Sequence, residues 1–312
     1  MADQQAIPSD AQPPVLVYDR ISSNRRQTWL LMLVFVAITG AFATVIALAL
    51  GVPPLFAPVV FAGLGAYALF SYYASASVAL AVSQARPVTK DDEPELYRIV
   101  ENLSIGSGLP MPRVYVIEDG APNAFATGRD PKHAAVTVTR GLLQKLEKSE
   151  LEGVIAHELS HVGNYDIRVM TITVVLVGLI ALLADVFMRW TWFGAGHRRG
   201  NRDKGGAMAI LLVVAIVLAV LAPLVAKMIQ LAVSRQREYL ADASGALLCR
   251  NPDALARALE KISADPDPLE EANKATAHLY FSNPLHDHKS WLNNLFSTHP
   301  PVEERIRLLR AM

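Results

Sequence analysis

Residues 154–161 read VIAHELSH. His157 and His161 stand four apart, a spacing that on a helix puts both imidazoles on one face, where they reach a single ion. Glu158 between them then points toward the water that the ion binds, the arrangement of a zinc-dependent peptidase. On residue frequencies alone, a chain of this length would show an H-E-x-x-H roughly one time in a hundred, so the flanks decide. Ser149 and Glu152 have the spacing of a capping box, and a helix is expected to begin there. It would carry Leu151, Val154, Ile155 and Leu159 toward His161. Two histidines leave a catalytic zinc site one protein ligand short, because such sites hold three and give the fourth position to water.

Residues 234–245, SRQREYLADASG, offer that ligand. Glu238 and Asp242 are again four apart on an expected helix, so Glu238 can bind the metal while Asp242 reaches the outer nitrogen of a ligating histidine. A carboxylate in that place fixes the tautomer of the imidazole and raises its basicity. Alone, the pair reads as a solvated charged face. Beside His157 and His161 it reads as the third ligand and its support.

The stretches AHELSHVGNYDI (156–167), REYLADASG (237–245), PNAFATG (122–128) and STHPPVEERIRLL (297–309) together resemble the HtpX family of membrane-embedded zinc endopeptidases. The resemblance implies a bacterial inner-membrane protease whose catalytic domain faces the cytoplasm and which takes part in quality control of misfolded or damaged membrane proteins. It implies His157, His161 and Glu238 as zinc ligands, Glu158 as the catalytic acid/base, and Asp242 behind the metal. It also favours a substrate-binding place for Asn123, since an edge strand can bind an extended peptide through main-chain hydrogen bonds. His299 would donate to the oxyanion formed during amide hydrolysis. Without the resemblance, Pro122-Asn123 reads equally as a plain turn and His299 as a turn histidine before Pro300.

Composition supports a membrane protein independently. Hydrophobic residues make up 52% of the 312, charged residues only 19%, and the mean hydropathy is +0.27. Apolar runs at 29–50 and about 55–82, joined by a turn at Gly51 to Pro54, are long enough to cross a bilayer as a helical hairpin. Arg20, Arg25 and Arg26 precede the hairpin, Arg86, Lys90 and Arg98 follow it, and its turn is uncharged, so both flanks are expected on the cytoplasmic side. Two further apolar runs, 169–188 and 207–233, lie between the metal helix and Glu238. Their connection holds Arg189, Arg198, Arg199, Arg202 and Lys204, against the positive-inside tendency, and Asp185 sits within the third run. The pair either crosses or packs partly against the catalytic domain; crossing is the expectation.

The resulting organisation is a flexible N-terminal tail at 1–28, a transmembrane hairpin at 29–82, a first catalytic part at 84–168, a second hydrophobic hairpin at 169–233 and a second catalytic part at 234–312. PELYRIVENLS (94–104) is amphipathic, with Leu96, Ile99, Val100 and Leu103 on one face. RVYVIE, NAFAT and HAAVTVT have the composition of strands. The expected class is therefore an α+β, zincin-like catalytic domain combined with about four helical transmembrane segments, mostly α.

Other residues exclude other chemistries. Cys249 is the only cysteine, which rules out an internal disulfide and a multi-thiolate zinc site. His133, His197, His278, His286 and His288 have no ligand spacing to a second cluster. The formal net charge is zero, and no basic patch interleaved with aromatics suggests a nucleic-acid partner. The expected partners are the lipid bilayer and membrane-protein or unfolded-protein substrates, with a membrane protein partner or a second copy also open. Two alternatives share these features: a zinc-binding membrane scaffold held latent until a partner opens it, and an endopeptidase acting on prenylated CAAX proteins.

Overall fold

Residues 113–139 hold the strand-forming segments, and both faces of the sheet they make are covered. A computed structural model describes residues 17–49, 53–178, 235–267, 269, 279–281 and 300–312. The strands are β1 (Arg86–Pro87), β2 (Arg113–Ile117), β3 (Ala124–Thr127) and β4 (Ala135–Thr139), in the order β1-β2-β4-β3. β2 and β4 are parallel; the two outer pairings are antiparallel. Side chains alternate between two cores at the period-two spacing of a strand. Val114, Val116, Ala124, Ala126, Val136 and Val138 face one core, and Ile117, Phe125 and Ala135 face the other.

The described helices are α1 (Val17–Ala49), α2 (Ala57–Val82), α3 (Pro94–Ser107), α4 (Arg140–Lys145), α5 (Lys148–Gly163), α6 (described over 166–178), α7 (Arg235–Cys249), α8 (Pro252–Ala264) and α9 (Val302–Arg310). The first core joins the sheet to α3, α5, α8 and α9, with Leu96, Ile99, Val100 and Leu103 buried as their spacing predicts. Gly108, in the left-handed conformation at φ 69°, stops α3 without the steric cost that a side chain would bring. The second core brings Ala79 and Leu80 of α2 and Met170 and Val174 of α6 against the sheet. The described chain is thus mostly helical with one small sheet.

α5 begins two residues before the point expected from Ser149 and Glu152. Its capping box is formed by Glu147 and Glu150. Glu150 is buried and held by Lys261 of α8 at 2.7 Å, so tertiary pairing selects this cap over the one with the better intrinsic residue.

The two N-terminal helices pack through a Trp29–Tyr72 stack at 5.9 Å and a Phe35–Tyr67 contact at 6.5 Å. The hairpin docks on the rest of the protein by cations over rings: Arg168 lies 5.7 Å from the Tyr72 ring and Arg129 5.3 Å from that of Tyr73. Pro54–Val82 is, among the described residues, the one helical stretch long and apolar enough to cross a membrane by length and composition, and little of it is buried. The apolar run 29–50 lies mostly within α1. Helix α1 begins at Val17, so residues 17–28 are helical where a flexible tail is expected. Asn24 and Thr28 are buried there, which explains the order of a polar segment. Of the third run, residues 169–177 are buried, with Thr171 Oγ1 2.9 Å from Thr127 Oγ1. The remainder of that run, Asp185 and the fourth run lie outside the described residues.

Helices α5 and α7 meet at a glycine. A Cβ on Gly245 would stand 2.8 Å from the His157 backbone nitrogen, closer than packed carbon can approach. Gly245→Ala gains about 1 kcal/mol in helix propensity, but overpacking against backbone costs roughly 1–3 kcal/mol. Thermal unfolding of the purified chain is expected to show a net loss of stability for Gly245→Ala, and an unchanged or raised midpoint would contradict this packing.

Candidate metal centre

The α5–α7 contact sets the site. His157 and His161 on α5 and Glu238 on α7 each offer a ligand atom within 4.8 Å of the others, and all three residues are buried. The two Nε2 atoms are 3.1 Å apart, His157 Nε2 lies 3.9 Å from Glu238 Oε2, and His161 Nε2 lies 3.7 Å from Glu238 Oε1. Zinc bonds of about 2.0–2.1 Å put the ligand atoms of a tetrahedral site roughly 3.4 Å apart; the two nitrogens are near that spacing, and Glu238 faces each of them with a different oxygen at longer range, so the cluster is somewhat wider than a closed zinc site.

Each imidazole is turned by a carboxylate behind it. His157 Nδ1 is 2.9 Å from Asp242 Oδ1, and His161 Nδ1 is 3.1 Å from Asp166 Oδ2. At His161 the contact is a hydrogen bond, and with its Nδ1–H directed at the acid that ring presents the Nε2 lone pair inward; at His157 the carboxylate is close but outside hydrogen-bond geometry, so the contact is electrostatic. Asp242 is in turn gripped by Arg305 of α9, whose Nε and Nη2 donate to its two oxygens at 2.8 and 2.7 Å. Arg305 is almost completely buried, lies 3.6 Å from Glu238 Oε2 and stacks over Phe281 at 5.0 Å. Phe281 completes the wall: its ring meets His157 edge-on at 4.9 Å, and its N–H donates to Ala124 O on β3 at 2.8 Å.

Glu158 is buried beside the ligands, with the Ala126 amide of β3 within hydrogen-bonding reach. Burial pushes its carboxyl up to about 7; the positive charge of His161 opposes this and the negative charge of Glu238 adds to it. Burial likewise lowers His157 to about 4, against the pull of Asp242. For His161 burial acts downward but is outweighed by Asp166, Glu238 and Glu158, which raise it to about 9. Burial would raise Asp242, yet the Arg305 charge and hydrogen bonds hold it below the usual carboxylate range.

Glu158, Glu238, Asp166 and Asp242 are four buried acids around the site, and Arg237 and Arg305 are two buried arginines. The acids also hold a proton on His161 in the metal-free site, and a divalent ion at its Nε2 would take the place of that proton.

The structure brings together His157, Glu158, His161, Glu238 and Asp242. Asn123 lies one residue before β3, buried, with its Oδ1 accepting from the Ala124 N–H at 3.0 Å; His299 lies outside the described residues. Asp166, Arg305 and Phe281 join the site without a spacing signal. Tyr165 precedes Asp166 with φ 61°, an uncommon left-handed conformation for a bulky residue, and the turn it makes returns Asp166 beneath His161.

Comparison with known proteins places this geometry in a family. The model of peptidase family M48 matches residues 90–312. A protease HtpX homolog of Tropheryma whipplei (strain Twist) is 47% identical over 298 residues, covering 95% of this chain and 99% of that protein. One from Dictyoglomus thermophilum is 45% identical over 307 residues, covering 96% of each. Among solved structures, the crystal structure of S. mikatae Ste24p aligns with a TM-score of 0.47 and 18% identity; the alignment covers 89% of this chain but only 62% of that one. Matched over most of its length by the family model and almost end to end by these relatives, the chain belongs to peptidase family M48 and, within it, to the HtpX proteases.

Proposed function

We propose that this metalloprotease is a multi-pass zinc endopeptidase of the bacterial inner membrane. Its proposed role is to cut misfolded or damaged membrane proteins, with the catalytic residues on the cytoplasmic side. One observation carries the reading: a buried His157–His161–Glu238 cluster whose ligand atoms lie within 4.8 Å of one another, with the Glu158 carboxyl beside it. The exposed apolar residues Leu55 and Phe56 of the short turn before α2, and Val59, Leu69 and Phe70 of α2, support a place in lipid. Four spans, at 29–50, 55–82, 169–188 and 207–233, are proposed from the apolar runs, with the catalytic parts 84–168 and 234–312 folding as one unit.

His157, His161 and Glu238 would hold the ion. Bound there, zinc supplies Lewis acidity, lowering the pKa of a coordinated water and polarising the scissile carbonyl. Glu158 takes a proton from the attacking water and delivers it to the departing amine nitrogen. Asp166 keeps the Nε2 lone pair of His161 directed inward, and Asp242 lies against the outer nitrogen of His157. Asn123 is proposed as a substrate-binding residue on the HtpX resemblance alone. His299 is proposed as oxyanion donor on the HtpX resemblance alone.

Zinc-dependent cleavage of an unfolded protein such as casein by the detergent-purified chain tests this. Glu158→Gln is expected to retain one zinc and lose about 10²–10⁴ in kcat. His157→Ala is expected to lose the metal. If Glu158→Gln cuts at the wild-type rate, its proposed role is wrong. Wild type and Glu158→Gln both binding zinc without cutting would favour a latent scaffold.

Arg305→Ala leaves Asp242 buried without its cation. Breaking such a pair costs about 3–5 kcal/mol, so a large fall in thermal stability is expected, with Arg305→Lys recovering only part because one ammonium cannot replace the two-pronged contact. A wild-type unfolding midpoint for Arg305→Ala would show that the pair contributes little.

A further inference from the structure

The first helix reaches the metal site through Asp166. Asn24 Nδ2 donates to Asp166 Oδ1 and to Asn164 O, both at 2.8 Å. Both partners are acceptors, so only the amide nitrogen can face them, and the orientation of Asn24 is fixed by its surroundings. Arg237 Nε lies 3.5 Å from the same Asp166 oxygen, and Arg237 Nη2 donates to Gln27 Oε1, one turn along α1 from Asn24. Asn24, Asp166 and Arg237 are all buried. Asp166 therefore has one oxygen committed to α1 and α7 and the other to His161 Nδ1.

We infer that Asp166, clamped by Asn24 of the N-terminal helix, is a positioning residue for His161, so that the membrane anchor is itself part of the support of the metal ligands. Asp166 holds the His161 ring with its Nδ1–H outward and its Nε2 toward Glu238. Asn24 fixes Asp166 in rotation; without it the carboxylate loses a donor in a buried place and is free to turn away from the ring. Displacing α1 relative to α5 and α7 would loosen one ligand while leaving the other, His157, under its separate Asp242–Arg305 support.

The inference rests on His157, His161 and Glu238 binding a metal, and the test separates the two claims. Zinc affinity of the full-length chain in detergent is measured by chelator competition, with the thermal midpoint of each metal-free variant taken in parallel. Asp166→Ala is expected to weaken zinc binding by about 10–100-fold, the usual effect of losing the partner behind a histidine ligand. Asn24→Asp keeps the volume but replaces a donor by an acid facing Asp166, and is expected to weaken it by about 10-fold. Asn24→Ala, which adds no charge, should act in the same direction and stands in if the aspartate variant does not fold. Phe35→Ala removes a buried ring of α1 remote from the network; it should lower the midpoint yet keep zinc affinity within about twofold, since no group behind a ligand is lost. Wild-type affinity in both Asn24 variants, with His157→Ala unable to bind, would overturn the role of α1 and leave the metal site standing. Equal weakening by Phe35→Ala would also overturn it, by showing that any loosening of the helix suffices. Undiminished zinc binding by His157→Ala would sink both claims.

Discussion

The close approach of α5 and α7 is the constraint on which the site depends. Gly245 lets the backbone at His157 come within contact of the second helix, and this distance brings a glutamate from residue 238 to histidines at 157 and 161. Each helix presents its two key residues at a four-residue spacing, His157 with His161 and Glu238 with Asp242, so the helix pitch aligns donors within a helix and the glycine sets the gap between helices. The second hydrophobic segment joins these two helices in sequence, but their register is held by packing: α8 wedges Leu255 against Gly153 of α5, and Lys261 fixes the Glu150 cap.

Such a site concentrates charge where water is scarce, and the protein handles this by pairing each group. Asp242 has Arg305, Asp166 has Asn24 and Arg237, and both carboxylates also face a histidine. The acids outnumber the arginines, and with no metal bound they hold a proton on His161 that a divalent ion would displace. Burial raises the Glu158 carboxyl to about 7 in the metal-free site, so desolvation keeps a proton available there near neutral pH.

Helix periodicity made part of this readable and left the rest hidden. His157 with His161, and Glu238 with Asp242, can be picked out because the placement within each pair depends only on helix pitch, and the face of α3 can be read for the same reason. Alternation in β2–β4 is harder to read, because both faces of the sheet are buried and apolar residues occupy nearly every position. Asp166 is hidden because its position depends on Tyr165 adopting φ 61°, a conformation that no tyrosine advertises. Arg305 can be anticipated only as a pairing partner for some acid; that the acid is Asp242 follows from where α9 packs. Residues 17–28 read as tail because their polarity suggests solvent, whereas Asn24 is buried against a loop 140 residues away. Contacts of that span have no local pattern.

These hidden contacts change how the molecule divides. A catalytic piece taken from residue 84 onward would lose Asn24 and Gln27, which hold Asp166 and Arg237, and also Ala79 and Leu80, which cover the second face of the sheet. Each buried polar group left without a partner costs about 1–3 kcal/mol, and typical domains have only about 5–15 kcal/mol of stability in total. Lost apolar cover adds to that cost. The N-terminal helices are therefore more than an anchor attached to an enzyme that could stand alone: they supply donors and core to the part that holds the ligands. In this chain, the N-terminal part of the first helix and the turn after the metal helix form one continuous polar network, and the geometry at His161 depends on both.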